Sequence, residues 1–157
     1  MHDEQRLNSP SGHAVAIWKM EGCHGLLSAT NFDSTVEVRK KGLNDTILTE
    51  KIFVSDGSDR PQLVWNGEED IRIQLDNIEE VYRSEREALG IKITYGVSRQ
   101  VLINLKNEEE RLLRPDAALE NLTTEDRAAA ERSDRDYKNS ILKFRGWVTA
   151  YASAPAP

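Results

Sequence analysis

The stretch that decides the fold class is residues 62–75, which read QLVWNGEEDIRIQL. Two apolar-rich runs flank Asn66-Gly67, the preferred pair for a tight hairpin turn because both residues tolerate positive φ. In the run after the turn, apolar residues alternate with polar ones: Ile71, Ile73 and Leu75. Since side chains alternate across a strand, these three share one face. The stretch therefore predicts an antiparallel β-hairpin, whose register depends on whether residues 68–70 lengthen the loop.

Short runs on both sides of this hairpin extend the β pattern. In residues 35–40 (TVEVRK), for example, Val36 and Val38 fall on one face and charged residues on the other, as in a half-buried strand. Further strands are predicted at residues 14–20, 47–54, 79–84 and 91–95. Nothing between them is long enough for a crossover helix, so the pattern is typical of an antiparallel sandwich or barrel.

The C-terminal third changes character. Residues 101–114 are expected to continue as a strand through Leu105 and then turn helical from Asn107. A second helix, of about 25 residues, is expected to start at Thr123, a good helix cap. It carries an apolar stripe of six residues at helical spacing, from Ala130 to Tyr151, whose middle four members are candidate partner-binding residues. These are Tyr137, Ile141, Phe144 and Val148.

These patterns predict a mainly β protein, α+β overall, with an antiparallel β-sandwich-like core and a C-terminal helical segment. The chain is expected to divide into a flexible lead-in (1–12), a β-rich core (13–105), a helical appendage (107–152) and a disordered tail (153–157). The appendage could pack on its own core or lie at an interface with another chain, including a second copy in a homodimer.

The composition favours a soluble single domain whose charge is concentrated locally. The chain has 157 residues and a net charge of −6, which argues against nucleic-acid binding because phosphates require clustered Lys and Arg. No apolar run is long enough to span a membrane. Residues 66–87 alone hold eight acids and three bases, a net charge of −5. The candidate partner-binding acids are Glu68, Glu69, Asp70, Asp76, Glu79 and Glu80. Such a patch would steer a basic protein toward it, although a charge run can also be only a solvated surface.

No motif in the sequence points to catalysis, a metal or a cofactor. Cys23 is the single cysteine, so an internal disulfide is excluded, and its neighbour His24 has no further ligands at zinc spacing. Residues 56–59 (DGSD) are interpreted as a turn that ends a strand, because the full calcium-loop pattern is missing. We therefore predict no catalytic residues, no metal site and no cofactor.

The β region resembles a loose group of uncharacterised small bacterial proteins, many of which follow an N-terminal membrane anchor. The resemblance covers residues 9–95. The segments that carry it are residues 9–16, Cys23 and residues 36–39, 52–57, 63–65 and 90–95. It implies an all-β core and a bacterial, envelope-facing setting, and it implies no activity. The charged helical region from Asn107 onward departs from it.

Three functions are compatible with these observations. The leading hypothesis is a non-enzymatic protein-binding module, of the immunity or inhibitor type, that presents an acidic surface to a basic partner. The second is an accessory domain of the cell envelope that self-associates through its C-terminal helix. The third is a carboxylate-based hydrolase, which would need two carboxylates with separated pKa values in one pocket. The polar N-terminus has no signal peptide, so a cytoplasmic location is expected, or a periplasmic or cell-envelope one if an anchor precedes this sequence.

Overall fold

The computed structural model describes residues 4–22, 32–56, 60–78, 80–113 and 122–150. These residues form two β-sheets and two helices, which confirms the predicted α+β class. The strands are β1 (Glu4–Asn8), β2 (Ala14–Gly22), β3 (Phe32–Lys41), β4 (Ile47–Asp56), β5 (Gln62–Trp65), β6 (Asp70–Leu75), β7 (Val81–Ser84), β8 (Glu87–Ala88), β9 (Ile91–Val97) and β10 (Val148–Ala150). The helices are α1 (Arg99–Leu113) and α2 (Thr124–Trp147). Neither helix is long and apolar enough to cross a membrane.

The first sheet has the predicted antiparallel arrangement, in the order β1-β2-β3-β4-β7. Val36 and Val38 on β3 are fully buried, as their alternation predicts. The edge strand β7 is covered by α2, whose Ser140 hydroxyl donates to the Val81 carbonyl at 3.3 Å. This cover protects an edge that would otherwise offer unpaired backbone groups to another chain.

The second sheet differs from the antiparallel expectation, because it contains two parallel pairs. Its order is β10-β9-β6-β5, with β8 also on β9, and both the β6–β9 and β9–β10 pairs are parallel. The first parallel pair forms because the chain crosses to the other sheet as β7 before it returns as β9. The second forms because α1 and α2 together carry the chain back to β10, as a helical crossover does.

The hairpin that decides the fold class is confirmed. β5 and β6 pair antiparallel with Leu63 opposite Ile73 and Trp65 opposite Ile71. The loop is the longer of the two expected forms, because pairing resumes only at Asp70. Gly67 has a φ of +132°, a conformation that side chains rarely adopt, which explains the glycine in this turn.

The N-terminal residues differ from the predicted flexible lead-in. β1 pairs along its whole length with β2 and forms the far edge of the first sheet. Leu7 packs against the core, and its carbonyl accepts a hydrogen bond from the Trp65 indole at 2.9 Å. This contact joins β1 to a residue of the second sheet that lies 58 positions later in the sequence. The sequence of residues 4–8 alone therefore gives no sign of it.

Helix α1 begins earlier than predicted, and the expected strand over residues 101–105 is wrong. The Ser98 hydroxyl caps the helix by accepting from the Val101 N–H at 3.2 Å. Val101 and Leu105 are both fully buried, and their spacing of four places them on one helix face. The predicted division between core and appendage therefore falls inside α1.

Helix α2 is an integral part of the core. It starts after the predicted cap Thr123, whose side chain accepts from the Asp126 N–H. Phe144 lies in an aromatic cluster, with ring centroids 5.9 Å from Phe53 and 5.2 Å from Tyr95. These two rings belong to β4 and β9, so α2 closes the sandwich between its two sheets.

Candidate functional site

The structure separates the acids of residues 66–87 into two groups. Glu68 and Glu69 lie in the β5–β6 loop, and Asp70 begins β6. Asp76 follows the other end of this strand, about 20 Å away for a six-residue strand. Glu80 precedes β7 in the other sheet. The predicted single patch is therefore not one surface, and Glu79 lies outside the described residues.

Glu68 has a structural role, because it joins two loops of the fold. Its carboxylate accepts hydrogen bonds from the Ser11 hydroxyl and the Ser11 N–H, which joins the β5–β6 loop to the β1–β2 turn. The bond from the hydroxyl is the main reason why the pKa of Glu68 lies below its ordinary value. The same hydroxyl lies 2.7 Å from the His13 Nδ1 atom. Cys23 and His24 lie outside the described residues.

The apolar stripe of α2 faces its own chain. Ile141 and Phe144 have no exposed surface, and both belong to the main core cluster. Tyr137 and Val148 are half-buried and pack against it. In this fold Ile141 and Phe144 therefore have no exposed surface to offer a partner, and partner binding through this stripe stays a prediction.

A different set of carboxylates comes together at one end of the first sheet. Glu21 on β2 lies directly opposite Asp33 on β3, and Asp33 lies opposite Asp56 on β4. Glu80 continues the line, since its N–H donates to the Asp56 carboxylate at 2.8 Å and its carbonyl accepts from the Asp56 N–H. We call these four residues the acidic row. Glu21 is exposed, and the other three members are half-buried.

The charges in the acidic row oppose one another. Burial raises the pKa of Asp33 above its ordinary value of 3.8, the charges of Asp56 and Glu21 raise it further, and Lys51 acts in the opposite direction. The Lys51 ammonium lies 3.7 Å from the Glu21 carboxylate. Like charges directly opposite each other on neighbouring strands destabilise a sheet. Among the described residues, the row therefore brings like charges together on neighbouring strands, with Lys51 as a nearby opposite charge.

Glu37, four residues after Asp33 on β3, shows the opposite arrangement. Its burial opposes ionisation, but hydrogen bonds from Lys19 and Arg39 outweigh this effect and lower its pKa. Their nitrogen atoms lie 2.9 and 2.8 Å from the carboxylate. The same sheet face thus has a balanced carboxylate at its centre and opposed carboxylates at its end.

Two tyrosines adjoin the row. The Tyr82 hydroxyl donates to the Glu80 carboxylate, and 43% of the Tyr82 side chain is exposed. The Tyr137 ring lies 5.9 Å from the Tyr82 ring between centroids. The Tyr137 hydroxyl is buried and has no hydrogen-bond partner among the described residues. Burial and the charge of Glu80 raise the pKa of both hydroxyls, so both stay protonated at neutral pH.

Sequence reasoning found only Glu80 of this row. The signal for the others is their position at strand ends: Glu21 ends β2, Asp33 starts β3 and Asp56 ends β4. In an antiparallel meander, the end of one strand lies beside the start of the next, so these residues meet at one end of the sheet. Among the described residues, no three His, Cys, Asp or Glu side chains are arranged to hold a metal ion.

If repulsion between the carboxylates of the acidic row destabilises the fold, removing the charge of one of them should stabilise it. We expect Asp33→Asn to increase the free energy of unfolding at neutral pH by about 0.5 kcal/mol, after allowing for solvent screening. Because the folded-state pKa of Asp33 is raised, the destabilisation is present well above pH 3.8 and disappears as the carboxyl is protonated on acidification. Urea unfolding at neutral pH and at about pH 3 measures both effects. Equal stability of the variant and the wild type at neutral pH would show that the row is not strained; Glu110→Gln, on exposed α1 surface, is the control.

No family model, no curated protein and no solved structure matches the chain. The resemblance to small bacterial proteins over residues 9–95 therefore stays a prediction.

Proposed function

We propose that this chain is a non-enzymatic protein-binding module, of the inhibitor or immunity type, whose acidic row engages a basic partner protein. The observation that carries the proposal is the cross-strand alignment of Glu21, Asp33 and Asp56. None of the three is buried, and none belongs to the hydrophobic core cluster. An arrangement that costs stability without serving the core is expected where selection has acted on binding.

The surroundings of the row suit a protein interface. Tyr82 presents a partly exposed ring beside Glu80, and tyrosine is enriched among the residues that dominate interface energies. Its hydrogen bond to Glu80 fixes the orientation of the ring. An anchored aromatic side chain of this kind loses little conformational freedom when a partner binds.

The spacing of the row defines the partner that fits it. Neighbouring strands lie about 4.8 Å apart, so the four carboxylates extend over about 15 Å. A helix or strand with Lys or Arg side chains at similar intervals could pair with them. Attraction of this kind accelerates association and weakens with salt, because exposed charges are screened beyond about 10 Å at 0.1 M ionic strength.

Affinity capture with the double variant Glu21→Gln/Asp33→Asn tests the proposal. The tagged wild-type chain is expected to retain one stoichiometric basic protein from lysate of its own host at low salt and to release it at high salt. The double variant is expected to lose it, because two of the four charges are gone. Binding kinetics of the purified pair should show a reduced association rate, by about tenfold, with a smaller change in dissociation.

The matched control is Glu110→Gln/Glu131→Gln, which removes the same charge from exposed positions on α1 and α2. It should bind like the wild type. If both double variants lose the partner equally, binding depends on net charge alone and the row is not the site. If both retain it, the row plays no part.

A further inference from the structure

The second sheet contains a gap on one side of β9. β8 pairs with Ile91 and Lys92 at the start of β9, and β10 pairs with residues 95–97 at its end. Because β6 occupies the other edge of β9, both strands lie on the same edge. The Ile93 N–H still donates to the Arg86 carbonyl at 2.8 Å, so the gap lies at Thr94. Beside it is an open cavity of about 420 Å³, which we call the β9 notch. It is lined by Arg86, Glu87, Lys92, Ile93, Thr94 and Trp147.

Two cations on the notch wall are available to a ligand. Arg86 and Lys92 are exposed, and neither forms an ion pair with any described residue. Glu87 is the partner of Lys92 in the β8–β9 ladder, yet their charged groups do not pair in the described part of the chain. With two bases and one acid, this wall is opposite in sign to the net charge of the chain, which is −6.

Trp147 holds cations at the notch. The Arg86 guanidinium lies 5.5 Å from the centroid of the Trp147 ring, and the Lys143 ammonium lies 4.7 Å from it. The face of an indole attracts cations at these distances. Trp147 is the last residue of α2, directly before β10, so the same helix that closes the core also sets the position of Arg86.

We propose that the β9 notch binds a small organic phosphate of about mononucleotide size. Arg86 supplies a planar pair of N–H donors, which matches phosphate oxygens, and Lys92 adds a second positive charge. A phosphate monoester carries close to two negative charges at neutral pH, so the two cations balance it. The site lies on the second sheet and shares no residue with the acidic row, so it extends the function beyond protein binding.

The rest of the notch accommodates the organic part of the ligand. A volume of about 420 Å³ lies in the range of small-molecule sites and exceeds what phosphate alone would fill. Ile93 and Trp147 provide apolar wall, and Thr94 provides a hydroxyl. Glu87 repels a phosphate placed next to it and instead accepts hydrogen bonds from a hydroxyl or amino group, which orients the ligand with its phosphate toward Arg86.

Isothermal titration calorimetry of the full chain with three probes tests this inference. The probes are adenosine monophosphate, inorganic phosphate and adenosine, at low ionic strength. Adenosine monophosphate is expected to bind with a stoichiometry of one and more tightly than either fragment. Arg86→Gln and Lys92→Gln should each weaken it by about tenfold, the effect of losing one charged hydrogen bond. Arg86→Lys should recover part of the loss, because it restores the charge without the planar donor pair.

The control is Lys106→Gln, an exposed lysine on α1, which should bind like the wild type. The proposal is overturned if the wild type does not bind adenosine monophosphate at millimolar concentration, or if Arg86→Gln and Lys92→Gln bind like the control. If inorganic phosphate binds as tightly as adenosine monophosphate, the organic part of the ligand contributes nothing and that part of the proposal is wrong. If adenosine binds as tightly, the phosphate contributes nothing and the proposal of a phosphate site is wrong. Circular dichroism melts establish that the variants, all at exposed positions, remain folded.

Discussion

Phe144→Ala is expected to destabilise the protein more than any other single change considered for it, by about 4 kcal/mol. The ring is fully buried, and it packs at 5.9 Å from Phe53 and at 5.2 Å from Tyr95 between centroids. Truncation removes the contacts of one ring with both sheets and leaves a cavity that the rigid strands cannot close. Since small domains are stable by about 5–15 kcal/mol, this loss is a large part of the total.

Leu142→Ala is the matched control, because Leu142 lies two residues away on the same helix and is 41% exposed. It should change the free energy of unfolding by less than about 1 kcal/mol. Urea unfolding measures both variants. A loss for Phe144→Ala as small as that of the control would mean that the helix contributes little to the core, and its apolar stripe would again be a candidate interface for a second copy of the chain.

Local patterns were sufficient to predict the hairpin and the second helix. Asn66-Gly67 determines a turn through its own backbone preferences, and Thr123 caps a helix through its own side chain. Each signal acts within a few residues and competes with nothing distant. The same locality explains the error at α1, where Val101, Ile103 and Leu105 fit a strand as well as a helix. The helix forms because Ser98 caps it and because Val101 and Leu105, four residues apart, are both buried on one helix face.

Parallel pairing in the second sheet could not be predicted from such patterns. β6 and β9 can pair only because β7 joins the other sheet. β7 joins that sheet because Val81 is buried there, in the core beside α2. The separation of the acids of residues 66–87 has a related reason. Glu68 and Asp76 are close in sequence, but a strand separates them, whereas Glu21, Asp33 and Asp56 are distant in sequence and adjacent in register.

The acidic row and the β9 notch have opposite charge and lie on different sheets. In the acidic row, burial and then the charges of Asp56 and Glu21 raise the pKa of Asp33, whereas in the notch the indole of Trp147 lies against the Arg86 guanidinium. Most side chains of both surfaces stand on strands, Trp147 ends α2, and Glu80 and Arg86 each directly precede a strand. Binding at either should therefore require little rearrangement of the described backbone.

Tyr95→Phe is expected to destabilise the fold by about 2 kcal/mol, because one buried hydroxyl joins the two sheets. The hydroxyl donates to the Glu85 carbonyl at 2.6 Å and accepts from the Glu85 N–H at 3.1 Å, while that N–H also donates to the Ile52 carbonyl at 2.9 Å. Phenylalanine keeps the packing of the ring against Phe53 and leaves the Glu85 carbonyl without this donor.

The alkaline limb of the stability curve separates loss of this hydrogen bond from a general weakening of the core. Burial is the main reason why the pKa of Tyr95 lies above its ordinary value of 10.0. Above that value the unfolded chain ionises first, so the wild type loses stability as pH rises, whereas Tyr95→Phe lacks this contribution and the gap between the two should narrow. Tyr82→Phe, which removes an exposed hydroxyl, should cost less than about 0.5 kcal/mol at neutral pH. If Tyr95→Phe matched this control, the Tyr95 hydroxyl would contribute little to holding the two sheets together, and the connection between β7 and β8 would not depend on it.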